Sequence, residues 1–207
     1  MRCLLIDFSK AFVSVDHLIV INKLKALNIA DNIIHWDVSF LTDRNQFVEV
    51  GERWSFTKMI NRSIVQGSGV GPTLFTICII DLQPIGFSNR ITKYADDCRL
   101  MVPEKCDVDM LDEFQHVLHW AVASKLTINM CKTKELVFHR PNSINYLAPS
   151  ELPGIERVLC AKLLGVWLQN YFSMRKHVDY IMHICNQRSY LLTQLERQCY
   201  GAVAICI

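Results

Sequence analysis

The chain has 207 residues, a length typical of one domain or of one domain and part of a second. Hydrophobic residues make up 51% of it, which favours a buried core and argues against disorder. A net charge of +2 is too balanced to indicate a nucleic-acid binder, although a neutral protein can still hold a basic groove. The longest apolar run, residues 74–82, is too short to span a membrane, and no signal peptide follows Met1.

The nine cysteines are scattered, and no two of them form a Cys-x-x-Cys pair. Scattered cysteines in an apolar chain are typical of small buried side chains in a reducing compartment. A disulfide scaffold or a zinc site is therefore the weaker interpretation. His116 and His119 stand three residues apart on an expected helix, but no third metal ligand is near them in the sequence.

The first part of the chain predicts a buried strand followed by helices. Residues 3–6 form a continuous apolar run, the pattern of a strand buried on both faces, and this run ends at Asp7. Asp16 is a typical N-cap for a helix with Ile19, Leu24 and Leu27 on its apolar face. The other elements expected here are a helix at 31–41 and strands at 46–50 and 55–65.

The middle of the chain predicts a glycine-rich turn and a hairpin with an acidic tip. Residues 66–72 are rich in glycine and precede the apolar run, and Pro72 suits the first turn of a helix. Residues 91–94 and 99–102 flank Ala95, Asp96 and Asp97, which predicts two carboxylates at the tip of a hairpin. The remaining expected elements are a helix at 108–126, strands at 126–129, 136–139 and 162–168, a loop at 141–154 and a helix at 177–197.

Three carboxylates at strand ends are the candidate chemical centre: Asp7, Asp96 and Asp97. A sheet holds such groups rigidly, and hard oxygen ligands suit Mg²⁺. Two ions held this way activate an attacking hydroxyl and stabilise a leaving pyrophosphate. Because Asp is common in turns, an Asp-Asp pair alone is more often structural.

Five segments together resemble the reverse transcriptase of non-LTR (LINE-type, Jockey-like) retrotransposons. In family order they are LIDFSKAF at 5–12, QGSGVGPTLF at 66–75, YADD at 94–97, LTINMCKTK at 126–134 and LLGV at 163–166. Each segment alone is a weak to moderate signal, but five in this order form a strong one. The resemblance covers nearly the whole chain and implies an RNA-directed DNA polymerase, a nucleotidyltransferase that works inside the cell, in the nucleus or the cytoplasm.

The resemblance implies an α+β fold, the right-hand polymerase palm, in which helices back an antiparallel sheet. Asp7 and Asp96 would bind two Mg²⁺ ions, with Mn²⁺ as an alternative, and Asp97 would support them as a third catalytic and metal-binding carboxylate. The backbone carbonyl of Phe8 would complete one metal shell. The expected partners are an RNA template, a DNA primer and a dNTP, with no membrane and no assigned oligomeric state.

Other residues of these segments receive roles by the same resemblance. Phe12 would be an aromatic steric gate against the ribose 2′-hydroxyl, or a core aromatic, or both. Gln66 and Gly67 would lie under the incoming nucleotide. Lys132 would be a catalytic general acid near the pyrophosphate, with Lys134 as the alternative, although both also suit a solvated turn.

The primer grip would include Leu164 and Gly165. The expected regions are a palm at 1–141, a loop and primer-grip hairpin at 142–175, and the start of a helical thumb at 176–207. The fingers would be largely missing before Met1, so we expect little polymerase activity from this chain alone. Val13 also stands where the family usually has Asp, although that Asp is not a metal ligand.

Two alternatives remain open at this point. One is a catalytically silent palm fragment that at most binds nucleic acid or a partner. The other is a phage or group II intron enzyme of the same superfamily, which the segment at 5–12 disfavours.

Overall fold

The computed structural model describes residues 1–65, 67–141 and 146–203, with side chains up to residue 198. These residues form two compact units. The first unit is Met1–Glu135 with Ala148–Arg157, and the second is Leu136–Leu147 with Val158–Ile207. Among the described residues, no helix combines the length and the apolar character needed to cross a bilayer.

The first unit alternates short strands with helices. Its elements are β1 (Arg2–Ile6), α1 (Ala11–Ser14), α2 (His17–Ala26), α3 (Asp31–Leu41), β2 (Arg44–Gln46), β3 (Glu49–Val50), β4 (Arg53–Trp54), β5 (Lys58–Ile60), α4 (Gly71–Cys78), β6 (Arg90–Tyr94), β7 (Asp97–Val102) and α5 (Met110–Ala123). The later elements are β8 (Lys134–Val137), β9 (Glu156–Val158), β10 (Cys160–Leu163), β11 (Val166–Gln169) and α6 (Arg175–Val203).

A five-stranded sheet with the order β6-β7-β1-β8-β9 carries the candidate site. β7 pairs antiparallel with both β1 and β6, and Ile6 lies opposite Cys98. The apolar pattern at 3–6 explains why β1 is interior, because Leu4 and Ile6 are buried in the core that the helices complete. The predicted α+β class, with helices backing an antiparallel sheet, is confirmed.

Helix starts follow the capping chemistry expected from the sequence. The Asp16 carboxylate accepts hydrogen bonds from the Leu18 and Ile19 backbone N–H groups, which confirms the predicted N-cap of α2. Burial raises the pKa of this carboxyl, but the hydrogen bond from Lys125 and the cap bonds outweigh burial, so the net shift is downward. Pro72 lies in the first turn of α4, as predicted.

Several predicted elements are wrong in extent or kind. The buried face of α2 consists of His17, Val20, Ile21 and Leu24, whereas Ile19 is partly exposed. Residues 126–129 form one bridge, between Phe8 and Ile128, and not a strand. Residues 162–168 form a hairpin and not one strand, because Leu164 and Gly165 both adopt positive φ and reverse the chain.

The second unit holds the β10–β11 hairpin and the long helix α6. Within it, the Trp167 ring meets Tyr180 edge-on at 6.5 Å between centroids, and the Lys176 ammonium lies 4.0 Å from the Trp167 ring. Lys162 donates a hydrogen bond of 2.7 Å to the Tyr180 hydroxyl. These contacts fix the hairpin on the first turns of α6.

Candidate active site

Asp7 and Asp97 lie at the same level on neighbouring strands. Asp7 follows Ile6 and Asp97 precedes Cys98, and Ile6 and Cys98 are paired in register. Since side chains alternate along a strand, and both Ile6 and Cys98 face the core, Asp7 and Asp97 face the opposite side of the sheet. The register therefore brings together two of the predicted site residues, 90 positions apart in the chain.

Asp96 occupies the turn of the β6–β7 hairpin. Tyr94 pairs with Asp97, so Ala95 and Asp96 form a two-residue turn, and Ala95 has a φ of 49°. Asp96 and Asp97 are exposed, while Asp7 is partly buried. It is thus Asp97, and not Asp96, that continues the register opposite Asp7.

The carboxylates do not form a ready-made metal cluster. Across the part of the chain that the structure describes, no three or more His, Cys, Asp or Glu side chains are grouped so as to hold a metal ion. The donor set itself is all carboxylate oxygen, which is the chemistry that Mg²⁺ prefers. The residues present therefore fit a hard divalent cation in type.

The segment at 127–133 holds the backbone of Asp7. The Asn129 N–H donates to the Asp7 carbonyl at 2.8 Å, and the Asp7 N–H donates to the Thr133 hydroxyl at 3.3 Å. Two residues further, the Ser9 N–H donates to the Thr127 carbonyl at 2.8 Å. The backbone of Asp7 is consequently held by this segment, directly beyond the last residue pair of β1 and β7.

Two aromatic residues after Asp7 differ in their surroundings. Phe8 is buried, and its ring meets Phe75 and Trp120 edge-on, 6.5 and 6.3 Å between centroids. Phe12 is only partly buried, and its ring lies 4.9 Å from that of Phe75. Phe12 therefore packs on the core and keeps part of its surface accessible, and its role as a steric gate stays a prediction.

Two positions of the glycine-rich turn before α4 favour glycine, Gly67 because of its backbone conformation and Gly71 because of its close neighbours. Gly67 has a φ of +85°, a conformation that L side chains rarely adopt. At Gly71 a Cβ would come within 3.2 Å of the Val65 carbonyl. The predicted nucleotide-binding residue Gln66 lies outside the described residues.

The two candidate lysines are separated by their contacts. Lys134 donates to Glu156 at 2.6 Å and to the Cys131 carbonyl at 2.6 Å. Lys132 is exposed, and its ammonium makes none of the contacts found among the described residues. Lys132 is therefore the one whose ammonium is available to a ligand.

The predicted primer-grip residues Leu164 and Gly165 form the turn of the β10–β11 hairpin in the second unit. Their φ values are 44° and 87°, as a two-residue turn with both central residues at positive φ requires. Both residues are exposed.

Sequence reasoning missed the groups that support the hairpin. The Lys93 ammonium on β6 donates to three carbonyl groups just after α4, those of Ile79, Ile80 and Leu82, at 2.8, 3.0 and 2.8 Å. Burial lowers the pKa of this lysine. On β7, burial raises the pKa of the Cys98 thiol to about 12, and the nearby Asp96 and Asp97 charges raise it further against Lys93. The available signal was a lysine on the same strand face as Ile91.

The loop that leads into β6 is held by two carboxylates that sequence reasoning also missed. Glu113 on α5 is fully buried and accepts hydrogen bonds from the Ile85 and Gly86 N–H groups and from the Asn89 amide. Asp107 accepts from the Ser88 hydroxyl and the Phe87 N–H, which lowers its pKa to about 2. Hydrogen bonds to the charged form explain that shift.

Comparisons with known proteins agree with the resemblance. A family model described as reverse transcriptase (RNA-dependent DNA polymerase) matches residues 2–168. The chain is 28% identical over 198 residues to the probable RNA-directed DNA polymerase from transposon BS of Drosophila melanogaster, covering 88% of this chain and 22% of that protein. It is also 28% identical over 191 residues to the RNA-directed DNA polymerase from mobile element jockey of Drosophila funebris, covering 86% and 20%. The chain thus spans about a fifth of the length of these relatives.

Solved structures support the fold alone. Telomerase from Candida tropicalis, in complex with a fragment of telomeric RNA, superposes with a TM-score of 0.58 at 11% identity, covering 83% of this chain and 29% of that one. Telomerase from Candida albicans, in a comparable complex, gives 0.55 at 13% identity, covering 84% and 30%. The fold is that of a polymerase palm.

Proposed function

The chain belongs to the reverse transcriptase family, and we propose that it is the palm region of a non-LTR retrotransposon polymerase that transfers nucleotides from dNTPs to a primer on an RNA template. The single observation that carries the proposal is the register of β1 and β7, which brings Asp7 opposite Asp97 with Asp96 in the adjoining turn. Carboxylates at this edge of a palm sheet suit phosphoryl transfer, in which positioning and charge stabilisation supply most of the catalysis.

In the proposed reaction, the primer 3′-oxygen attacks the α-phosphorus of the dNTP, and the bond to the bridging oxygen of pyrophosphate breaks. Asp7, Asp96 and Asp97 would hold two Mg²⁺ ions, or Mn²⁺ in their place, through carboxylate oxygens. When bound, these ions supply activation of the hydroxyl and stabilisation of the negative charge on the leaving group. The Lys132 ammonium would donate a proton to the departing pyrophosphate.

The sugar and base of the dNTP would lie between the aromatic and glycine-rich segments. The accessible edge of Phe12 is proposed to exclude a ribose 2′-hydroxyl, and Gly67 to let backbone approach the nucleotide closely, beside Gln66 and the carbonyl of Phe8. Leu164 and Gly165, at the exposed turn of β10–β11, are proposed to contact the primer.

The test is single-turnover primer extension on an RNA template, with the 207-residue chain in excess over the primer and with Mg²⁺ or Mn²⁺ supplied. Replacing Asp96 by Asn, or Asp7 by Asn, should lower the extension rate by on the order of a thousandfold, since several kcal/mol of charge stabilisation would be lost. Asp112→Asn, an exposed carboxylate on α5, is the matched control and should leave the rate unchanged. Extension above the no-protein background that is equal in the Asp96 variant and the control would contradict the proposal.

A second candidate function is nucleic-acid binding without catalysis. Binding of a primer–template with no extension under either metal would select this candidate over the first.

A further inference from the structure

Two nitrogen atoms of the Arg99 side chain are buried and have no hydrogen-bond partner. Arg99 lies on β7 between Cys98 and Leu100, which both face the core. Its side chain therefore projects to the opposite face of the sheet, the face of Asp7 and Asp97. Its Nε and Nη2 atoms are shielded from solvent and have no hydrogen-bond partner, and the one other such side-chain atom among the described residues is Asn89 Oδ1.

Such an arginine is energetically unusual. The guanidinium offers five N–H donors, and buried N–H donors without an acceptor destabilise a fold. The residues paired with Arg99 on either side are Leu5 and Thr92, neither of which supplies a negative charge. None of the ion pairs among the described residues includes Arg99. The missing partner is therefore expected to be an anion that comes from outside the chain.

The position of Arg99 relative to the carboxylates indicates which anion. Arg99 follows Asp97 by two residues on the same face, which places it about 6.6 Å further along the strand. A nucleic-acid strand whose 3′ end reacts at Asp7 and Asp97 would have to lie over this face, because the other face is filled by core side chains. Arg99 is partly exposed, so a backbone phosphate of that strand comes within reach of the guanidinium when the side chain turns outward, and its planar fork suits phosphate oxygens.

We propose that Arg99 binds a backbone phosphate of the primer strand and thereby positions the primer 3′ end at the carboxylates. The inference rests on the proposed function, since it assumes that the primer terminus lies at Asp7 and Asp97. It adds a primer-binding residue outside the five segments that carry the family resemblance.

Primer–template binding tests the inference directly. A fluorescently labelled DNA primer annealed to an RNA template is titrated with the 207-residue chain in EDTA, over a range of KCl concentrations. Arg99→Gln should weaken binding about tenfold at 0.1 M KCl and reduce the slope of log K against log salt by about 0.7–0.9, the value of one phosphate contact. Lys25→Gln, which removes an exposed charge from α2, should change neither quantity.

The outcomes separate this inference from the polymerase proposal. Wild-type extension together with unchanged affinity and salt slope in Arg99→Gln would overturn the inference and leave the polymerase proposal standing. Weaker binding and a lower slope in the variant, with no extension even by the wild-type chain, would support phosphate binding by Arg99 and overturn its role in positioning a primer end for polymerisation. No binding by the wild-type chain would overturn the inference.

A stability measurement excludes a purely structural role. If Arg99 awaits an anion, Arg99→Met should raise the melting temperature of the ligand-free chain by a few degrees, because it removes buried N–H donors that have no acceptor. A structural arginine would give the opposite sign. A lower melting temperature in both Arg99→Met and Arg99→Gln would overturn the inference.

Discussion

The two hairpins β6–β7 and β10–β11 turn through the same number of residues but are supported differently. Each places a non-glycine residue at positive φ, Ala95 at 49° and Leu164 at 44°, which costs about 1–2 kcal/mol per residue. β7 is an interior strand whose Cys98, Leu100 and Val102 are at most 1% exposed. β11 is partly buried along its length and belongs to a two-stranded sheet. A strained turn is therefore maintained by a core in one case and by contacts with one helix in the other.

The hairpins also differ at their bases. The loop into β6 is clamped by Glu113 and Asp107, and Lys93 ties β6 to the carbonyl groups just after α4. The base of β10–β11 is held mainly by side chains of α6, such as Lys176 on Trp167. The carboxylate-bearing tip of β6–β7 is therefore held from several directions, as a site that depends on positioning requires.

The largest expected effect comes from removing the clamp of the first hairpin. Glu113→Ala leaves the N–H donors of Ile85 and of the buried Gly86 without their acceptor and should lower the free energy of unfolding by about 3 kcal/mol. Urea unfolding measures this. Asp112→Ala, on the same helix but exposed, is the control and should cost less than about 1 kcal/mol. Similar losses in both variants would show that the clamp contributes nothing.

A smaller effect is expected from relieving the turns. Ala95→Gly and Leu164→Gly remove the steric cost of positive φ and should each raise the free energy of unfolding by about 0.5–1 kcal/mol. If the sheet holds Ala95 in its conformation, the glycine there should leave the extension rate unchanged or lower, because the tip gains freedom. Thermal unfolding of both variants checks the stability gain, and a loss of stability in either one would contradict the assignment of strain.

The smallest effect concerns acid. The pKa of Asp107 is lowered to about 2, chiefly by the Ser88 hydroxyl, against about 3.9 in an unfolded chain. A lowered folded pKa adds stability that is fully present above about pH 4 and is lost as the pH falls towards 2. Asp107→Asn should therefore flatten the slope of stability against pH between about 4 and 2. Acid unfolding curves that coincide for wild type and variant would rule this out.

The sequence predicts the local elements that carry strong signals. The apolar run at 3–6, the Asp16 cap and the strands around Asp96 all follow from short-range chemistry, and each is present. The placement of Asp7 near Asp97 follows from the pairing of Ile6 with Cys98, and periodicity fixes a face of a strand but not its partner.

The roles of Glu113 and Arg99 could not be predicted from the sequence, for a different reason. In the sequence, Glu113 resembles any acidic residue in the first turn of an amphipathic helix, where acidic residues are favourable. Its burial arises only because the loop at 85–89 turns its N–H groups towards it. Arg99 was overlooked likewise, because a charged residue in a strand commonly marks a solvent-facing position.

The buried thiol of Cys98 offers a way to measure how often the β6–β7 hairpin opens. Cys98 follows Asp97 in β7 and is fully buried. Burial raises the pKa of its thiol to about 12, so in the closed hairpin the thiol is neutral and shielded from solvent. Only the thiolate reacts with alkylating reagents, and an exposed cysteine such as Cys131 has no comparable protection. The rate at which Cys98 is alkylated therefore counts the openings of this hairpin, in an unmodified chain and without an introduced label.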